Sequence, residues 1–285
     1  MSYKTVLVHV DESRHAEQRI RIAAAIADKQ DAHLVGGATT GVSPYIYRSG
    51  AAVQAGTDTP LGYHLSALRD RARVALDKFE TMARSLDASS YESALLDDEA
   101  GAGISLRGRY SDLVVIGQFD PEERSPVVMS DFPEYVLMNA GRPVLMIPYV
   151  GRYDTVGRRV LVAWDGGISA ARAVTQAIPM LRQAEIVELV VYNAEPDGKP
   201  GRAAHGEVPG ADIALFLARH GIKVDVIQQQ TRANVGDALL SLATDLGSDL
   251  LVMGGYGHPR FQEILLGGVT RTVITSMTLP VLMAN

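Results

Sequence analysis

The stretch that decides the fold lies near the C-terminal end and reads DLLVMGGYGHPRFQEILLGGVTRTVITSMTLPV, from Asp249 to Val281. Its apolar run, Leu250–Met253, is short, unbroken and followed at once by glycines, which predicts a buried strand that ends in a turn. A second glycine pair precedes the segment TRTVITSM, which we predict to be a short helix that opens near Thr270. The stretch therefore predicts a strand, a glycine-rich loop and a helix.

Two groups of glycines bound this loop, Gly254-x-x-Gly257 and Gly267-Gly268. Glycine allows positive φ and leaves room for another molecule to approach the backbone. The first amides of the following helix have no partner inside the helix, so anions are favoured beside the second pair. The loop therefore predicts a phosphate-binding site, and the alternative is a glycine-rich turn that binds nothing.

The spacing of these glycines resembles the nucleotide-binding signature of the universal stress protein family. The loop has G-x-x-G, nine residues and a glycine pair, and a short helix and a closing strand, Pro280–Met283, follow it. In ATP-binding members of the family a Ser or Thr follows the last glycine, and its hydroxyl helps the backbone to hold ribose and triphosphate. This chain has Gly268 at that position, with Thr270 two residues on, so it has lost one phosphate donor.

The resemblance implies a site for ATP, with or without Mg²⁺, in the second half of the chain. The residues expected to contact the nucleotide are Trp164, Asp165, Met253, Gly254, Gly257, His258, Gly267, Gly268, Val269 and Thr270. The Asp165 carboxylate can contact adenine, ribose or a magnesium ion. Alternatively, Asp165 is a turn residue that caps the next helix. Trp164 can stack on a base or simply pack against the protein.

Composition excludes several classes of function. The chain has 285 residues, a formal net charge of -6, no cysteine and seven histidines without an H-x-x-x-H pair. We therefore expect no thiolate site and no structural metal, and the lack of a Lys/Arg cluster argues against nucleic acid as a partner. No apolar run reaches the ~20 residues of a membrane helix, and the N-terminus enters a strand directly, so we expect a cytoplasmic protein without membrane contact.

The two halves of the chain repeat one another. The segment SDLVVIGQFD, which starts at Ser111, matches SDLLVMGGYG, which starts at Ser248, at a shift of 137 residues that holds without a gap to the closing strands. The first strands match at a shift of 154, so the first half carries about seventeen extra residues, which we place in the irregular Thr40–Gly62 segment and the helix after it. We predict two tandem domains, residues 1–150 and 156–285.

Strands alternate with helices in both halves, which predicts an α/β fold of two doubly wound, Rossmann-like domains with parallel sheets. The family resemblance implies five strands per sheet in the order 3-2-1-4-5. The loops after the first and fourth strands should then face one another across a crevice. We further expect the two fifth strands, Val144–Ile147 and Val281–Ala284, to pair with one another, because an open apolar edge invites pairing.

The first half carries a degenerate copy of the loop. Asp120 and Asp131 replace Gly257 and Gly268, and only Gly117 keeps a glycine, opposite Gly254. Carboxylates at these positions repel a polyanion, although clustered acids can attract a hard cation such as magnesium. We therefore predict at most one nucleotide per chain, bound in the second half.

No motif indicates catalysis, because the chain has neither a Walker A sequence nor a nucleophile elbow. Our main hypothesis is a non-enzymatic, stress-response nucleotide-binding or signalling module with an unidentified protein partner, and the resemblance implies a homodimer. One alternative is a slow ATPase that uses Asp165 and His258. The other is a scaffold or binder of an apolar ligand that uses the Thr40–Gly62 segment and no nucleotide.

Overall fold

The computed structural model describes residues 2–43, 45–46, 60–123, 125, 127–194, 208–256 and 268–285. Contacts divide these residues into two compact units, Ser2–Arg142 and Pro143–Asn285. The predicted domain boundaries at 150 and 156 stay a prediction. Most of the Thr40–Gly62 segment lies outside the described residues, as does the loop over residues 195–207.

The first unit alternates strands and helices. Its elements are β1 (Thr5–His9), α1 (Ala16–Gln30), β2 (His33–Thr39), α2 (Pro60–Ser85), β3 (Tyr91–Leu96), α3 (Ala100–Gly108), β4 (Leu113–Gly117) and α4 (Phe132–Asn139). The strands lie in the order β3-β2-β1-β4, and the pairs β1–β2, β1–β4 and β2–β3 are all parallel. This is the predicted order of the first four strands.

The second unit begins with one further strand and then repeats the pattern. Its elements are β5 (Val144–Ile147), β6 (Arg159–Ala163), α5 (Ile168–Leu181), β7 (Ile186–Tyr192), α6 (Ala211–Arg219), β8 (Asp225–Gln229), α7 (Val235–Asp245), β9 (Leu250–Gly254), α8 (Val269–Ser276) and β10 (Val281–Ala284). The order is β5-β10-β9-β6-β7-β8, so the second copy has the complete predicted order 3-2-1-4-5.

Strand β5 pairs antiparallel with β10, with Leu145 opposite Leu282. The predicted pairing of the two fifth strands is therefore confirmed, and it lies within the second unit. The other strand pairs of this unit are parallel. All four residues of β5 and all four of β10 are buried, which explains why neither can remain an open apolar edge.

The central strands are apolar along their whole length because helices cover both faces of a parallel sheet. The first four residues of β4 and of β9 are buried, and each strand ends at a half-buried glycine, Gly117 or Gly254. This confirms the α/β fold, with its two tandem doubly wound domains. None of the helices in the described residues is both long and apolar enough to cross a bilayer.

Local signals set the ends of α7. Asn234 precedes the helix, and its side-chain oxygen accepts a hydrogen bond of 2.7 Å from the Gly236 amide, as is typical of an asparagine at this position. Gly247 follows the helix with φ at 64°.

The sequence predicts the edge strand of the second unit at Lys223–Ile227, but β8 runs from Asp225 to Gln229. This exposed edge strand has no apolar alternation to fix its ends.

Candidate functional site

The candidate site of the second unit begins at the turn between β6 and α5. Asp165 is exposed, and its Oδ1 accepts a hydrogen bond of 2.8 Å from the Gly167 amide. Gly166 has φ at 73°, a left-handed conformation that suits glycine. Asp165 thus helps to form the turn into α5, and its predicted contact with a nucleotide or magnesium stays a prediction.

Strand β9 meets the first turn of α5 at Gly254. A Cβ on Gly254 would lie 2.5 Å from the Ala170 nitrogen and 2.8 Å from the Ser169 carbonyl carbon, both of them backbone atoms. Only glycine allows the strand to end this close to the helix. The end of the fourth strand of this copy is therefore packed against the helix that follows the first strand, and this packing requires the glycine. That the loops after these two strands face one another stays a prediction.

A hydrogen bond joins the loop after β9 to the first turn of α8. The Tyr256 amide donates to Thr270 Oγ1 over 3.2 Å, with Tyr256 at a positive φ of 49°. Gly268 is the residue before α8, and no side chain of the described residues caps this helix end. Among the described residues, the first amides of α8 thus have no side-chain cap, and such a helix end favours an anion.

The remaining predicted contacts have different environments. Trp164 is half-buried, and its amide donates to the Val190 carbonyl oxygen over 2.9 Å, which extends the pairing of β6 with β7. Met253 is 5% exposed and belongs to the core, opposite Met283. Val269 is half-buried at the start of α8. Gly257, His258 and Gly267 lie outside the described residues.

The same place in the first unit holds a buried ion pair. Arg19 Nη2 donates to Asp11 Oδ1 over 2.8 Å, and Arg19 Nε donates to the His9 carbonyl oxygen over 2.7 Å. The guanidinium lies against Gly117, where a Cβ would be 2.5 Å from Arg19 Nη1. Asp11 also accepts a hydrogen bond of 2.6 Å from the Ser13 hydroxyl. Charged side chains of the protein therefore fill the end of β4.

These contacts shift two pKa values in the same direction. Burial alone would raise the pKa of Asp11, but Arg19, His9 and the Ser13 hydroxyl hold it well below its usual range. Burial, opposed by Asp11 and assisted by Arg19, lowers the pKa of His9 to about 4. At neutral pH the buried pair is thus Asp11 with Arg19, and the His9 ring is uncharged beside Phe132 at 4.7 Å.

Asp120 takes part in a second cluster of charges. Its Oδ2 lies 2.8 Å from Arg14 Nη2 and 2.9 Å from His15 Nε2, and its Oδ1 accepts from the Glu122 amide. Burial opposes ionisation of Asp120, but the hydrogen bonds from Arg14, His15 and the amide lower its pKa to about 2. The cations offset part of the negative charge that the sequence places in this loop. The predicted crowding of carboxylates is therefore weaker than the sequence alone indicates.

A cavity of about 160 Å³ opens beside this cluster, between the ends of β1 and β2 and the helix α2. Its lining is mixed: the apolar part includes Val10, Leu68 and Val127, and the polar part includes Asp11 and Arg71. Arg71 forms an ion pair with Glu12. The first copy therefore keeps a recess although its own side chains occupy the end of β4.

Sequence reasoning missed Arg19, Arg14 and His15 as members of these clusters. Arg19 had a detectable signal, because it follows Ala16 by three residues and precedes Ala23 by four, which places a cation on the apolar face of α1. Arg14 and His15 gave no such signal. Their partner Asp120 is more than a hundred residues away in the chain.

Comparisons with known proteins agree with this architecture. Residues 157–285 match the model of the universal stress protein family. A universal stress protein of Synechocystis sp. is 23% identical over 149 residues, which cover 52% of this chain and 49% of that protein. One of Methanocaldococcus jannaschii is 40% identical over 49 residues, which cover 17% of this chain and 30% of that protein. The chain thus spans about half the length of the first relative and less of the second.

Solved structures share the fold over nearly the whole chain. A universal stress protein of Archaeoglobus fulgidus has a TM-score of 0.71 at 15% identity, and the match covers 99% of this chain and 98% of that one. A protein of unknown function from Pseudomonas aeruginosa has a TM-score of 0.59 at 17% identity, with 98% and 92% covered. At these identities the likeness shows the fold. The second half, residues 157–285, thus matches the universal stress protein family, and the whole chain shares the fold of a universal stress protein of nearly the same extent.

Proposed function

We propose that the second half of the chain binds one adenine nucleotide, ATP, and that the protein acts as a nucleotide-dependent binding or signalling module. The observation that carries the proposal is the junction of β9, α5 and α8. Gly254 lies against the backbone of α5, and the Tyr256 amide is tied to Thr270 at the start of α8. This junction places an uncapped helix end next to a glycine-rich loop, which is a favourable position for phosphates.

Each predicted contact has a role in this proposal. The phosphates would be held by the amides at Gly268, Val269 and Thr270, and by the loop that contains Gly257, His258 and Gly267. Thr270 Oγ1 accepts a hydrogen bond from the Tyr256 amide, and its hydroxyl would donate its own proton to a phosphate oxygen. Trp164 and Asp165 would lie beside the base or ribose, and Met253 would support the loop from the core. Mg²⁺ would accompany the triphosphate without a dedicated protein ligand.

Binding without catalysis fits the state of Asp165. Its Oδ1 accepts a hydrogen bond from the Gly167 amide, so a role in the turn already accounts for this carboxylate without catalysis. A slow ATPase would show steady release of phosphate that the Asp165→Asn substitution abolishes. We expect no such release above the rate without protein, and a release that requires Asp165 would favour the ATPase.

The test of the site is Gly257→Asp, which places in the second half the residue that Asp120 provides in the first. A carboxylate next to a phosphate costs ~1 kcal/mol at ~4 Å in water and more near a protein surface, so binding should weaken by roughly tenfold or more. Calorimetric titration with ATP should give one site in the native chain. Mass spectrometry of the ligand released from undialysed protein identifies the natural occupant.

Gly221→Asp is the matched control. Gly221 has a positive φ of 77°, a Cβ there meets open space, and the residue precedes β8 at the opposite end of the sheet. This variant should bind ATP like the native chain. If Gly257→Asp binds ATP unchanged, the loop is not the nucleotide site. If the native chain binds two equivalents and Gly257→Asp still binds one, the first copy is a nucleotide site as well.

We also propose that chains pair as homodimers in the cytoplasm and act on a protein partner, on the strength of the family resemblance. Light scattering over a range of concentrations tests the pairing, and a monomer throughout would contradict it. A protein that takes up no nucleotide would instead support the scaffold or apolar-ligand alternative.

A further inference from the structure

Three side chains that can bind a metal ion converge at the end of β4 in the first unit. They are His15, Asp120 and Glu123, and one nitrogen or oxygen of each lies within 4.8 Å of the other two. His15 Nε2 is 2.9 Å from Asp120 Oδ2 and 3.4 Å from Glu123 Oε2. All three residues line a single recess, together with Gly117 and Phe132. In the part of the chain that the structure describes, no other such group of three is found.

The distances match the edges of a coordination shell. Nitrogen and oxygen ligands lie ~2.0 to 2.2 Å from a transition metal, so neighbouring ligands in octahedral or tetrahedral geometry are roughly 3.0 to 3.5 Å apart. The two measured separations from His15 Nε2 are close to this range. One imidazole with two carboxylates is a donor set suited to Zn²⁺ or Mn²⁺. A small inward shift of Glu123 would complete a three-ligand site.

A second observation concerns Glu123 itself. Its Oε1 accepts a hydrogen bond of 2.9 Å from the Arg14 amide, whereas its Oε2 is enclosed, makes no hydrogen bond among the described residues and has only longer ion pairs, 3.6 Å from Arg14 Nε and 3.4 Å from His15 Nε2. An enclosed carboxylate oxygen with only such long contacts favours a cation at shorter distance. His15 Nε2 carries at most one proton, and the Asp120 oxygen is nearer to it. A cation between the three groups would satisfy both carboxylates at once.

Arg14 supplies positive charge at this place in the structure. Its Nη2 lies 2.8 Å from Asp120 Oδ2, and its Nε lies 3.2 Å from His15 Nε2. The Arg14 side chain is 61% exposed, in contrast with the buried Asp120 carboxylate. The guanidinium can therefore turn into solvent without opening the fold, and a cation that enters the recess would take over its contact with Asp120.

We propose that His15, Asp120 and Glu123 bind one divalent transition-metal ion, Zn²⁺ or Mn²⁺, which displaces the Arg14 guanidinium from Asp120. The second half lacks this site. At the shifts of the repeat, His15 corresponds to Ser169 in the second half. Asp120 corresponds to Gly257, and Glu123 corresponds to Arg260. The metal site is therefore a property of the first copy, independent of nucleotide binding in the second.

The test is calorimetric titration of the full-length, chelator-treated chain with Zn²⁺ and with Mn²⁺, the latter also followed by the loss of the free-ion signal in electron paramagnetic resonance. We expect one saturable site. His15→Gln and Glu123→Gln should each weaken it by at least the ~10- to 100-fold that loss of an outer hydrogen-bond partner costs a metal site. Arg14→Ala should tighten it, because a competing cation has been removed.

His33→Gln is the matched control. The His33 ring also faces a carboxylate, with Nε2 3.8 Å from Glu92 Oε2, but the described residues place no third ligand of this kind beside it. This variant should bind metal like the native chain. Circular dichroism shows whether each variant folds. The Glu123 side chain is one-third exposed, so Glu123→Gln should fold and can test the site even if His15→Gln does not.

Three outcomes would overturn the proposal. The first is the lack of saturable binding by the native chain at millimolar metal. The second is binding that both ligand substitutions leave unchanged, which would place the ion elsewhere. The third is weaker or unchanged binding in Arg14→Ala, since it would show that the guanidinium is a structural partner of Asp120 and not a competitor of the metal.

Discussion

The two copies of the domain use the same crevice in opposite ways. In the first copy the end of β1 and the first turns of α1 provide His9, Asp11 and Arg19, and these side chains fill the space beside Gly117. In the second copy the corresponding residues are Ala163, Asp165 and Ala173. There the backbone of α5, and not a guanidinium, contacts the glycine at the end of the fourth strand.

The difference shows that a duplicated fold can keep its architecture while the side chains at one end of its sheet change. The first copy places a buried ion pair beside the glycine, whereas the second copy packs a helix backbone against it. Asp11 and Asp165 occupy equivalent positions, but the first is paired with a buried cation and the second with a backbone amide. The two equivalent carboxylates therefore have different roles because their neighbours differ.

Arg19→Ala is expected to have the largest effect on stability among the substitutions that compare the two crevices. It gives the first copy the alanine that the second copy has at Ala173. It leaves the Asp11 carboxylate without its buried partner, which typically costs ~3–5 kcal/mol. Unfolding by urea should show this loss. Arg21→Ala is the matched control, because Arg21 lies on the same helix in an exposed pair with Glu17 and should cost about 0.5 kcal/mol or less. Equal losses in both variants would contradict the comparison.

The next effect is a dependence on pH that belongs to the first crevice. His9 has a pKa of about 4 in the folded chain, below its ordinary 6.5. The unfolded chain therefore binds more protons between these values, and stability is present above pH ~6.5 and falls as the pH drops towards 4. At ~1.4 kcal/mol per pKa unit, the loss is at most about 3 kcal/mol.

Urea unfolding at several pH values measures this loss. His9→Phe keeps a ring beside Phe132 and should flatten the curve between pH ~6.5 and 4, whereas His220→Gln should not. Asp11 and Asp120, whose pKa values are lowered, contribute a further loss at lower pH, below the ordinary carboxylate value. A curve that His9→Phe leaves unchanged would show that His9 is not the titrating group.

A smaller effect tests the two glycines at the ends of β4 and β9. Gly254→Ala drives a methyl group into the backbone of α5, and we expect a loss of ~1–3 kcal/mol with weaker nucleotide binding. Gly117→Ala meets only the guanidinium of Arg19. Its cost should therefore shrink in the Arg19→Ala background, which a double-mutant cycle measures by urea unfolding. A cost for Gly117→Ala that is the same in both backgrounds would argue against this account.

The smallest effect is expected for Thr270→Val in the second crevice. The substitution removes the acceptor of the Tyr256 amide, worth ~1 kcal/mol, and the proton proposed for a phosphate oxygen. ATP affinity should fall by roughly tenfold or less in calorimetry. Thr275→Val, on the same helix with its hydroxyl bonded to the Arg271 carbonyl oxygen, should leave affinity unchanged. The proposed role of Thr270 fails if both variants bind ATP alike.

Much of the fold could be predicted from the sequence. The alternation of apolar runs and helical segments predicted the parallel sheets, and the repeat at a shift of 137 predicted two copies of one domain. The pairing of Val144–Ile147 with Val281–Ala284 followed from the apolar character of two edge strands, and the structure confirms it. The predicted bounds of β8, Lys223 and Ile227, each lie two residues before the observed ones, because an exposed edge strand carries little hydrophobic pattern.

The sequence by itself determined the elements, their order and the glycines of the second loop, because these depend on local periodicity and on backbone freedom. Only the tertiary structure decided which charges meet. Arg19 in α1 forms an ion pair with Asp11, which follows β1. His15 contacts Asp120, which is more than a hundred residues away in the chain. The strength of a charge interaction depends on burial and distance after folding, so composition alone predicted repulsion in the first crevice where the fold provides compensating cations.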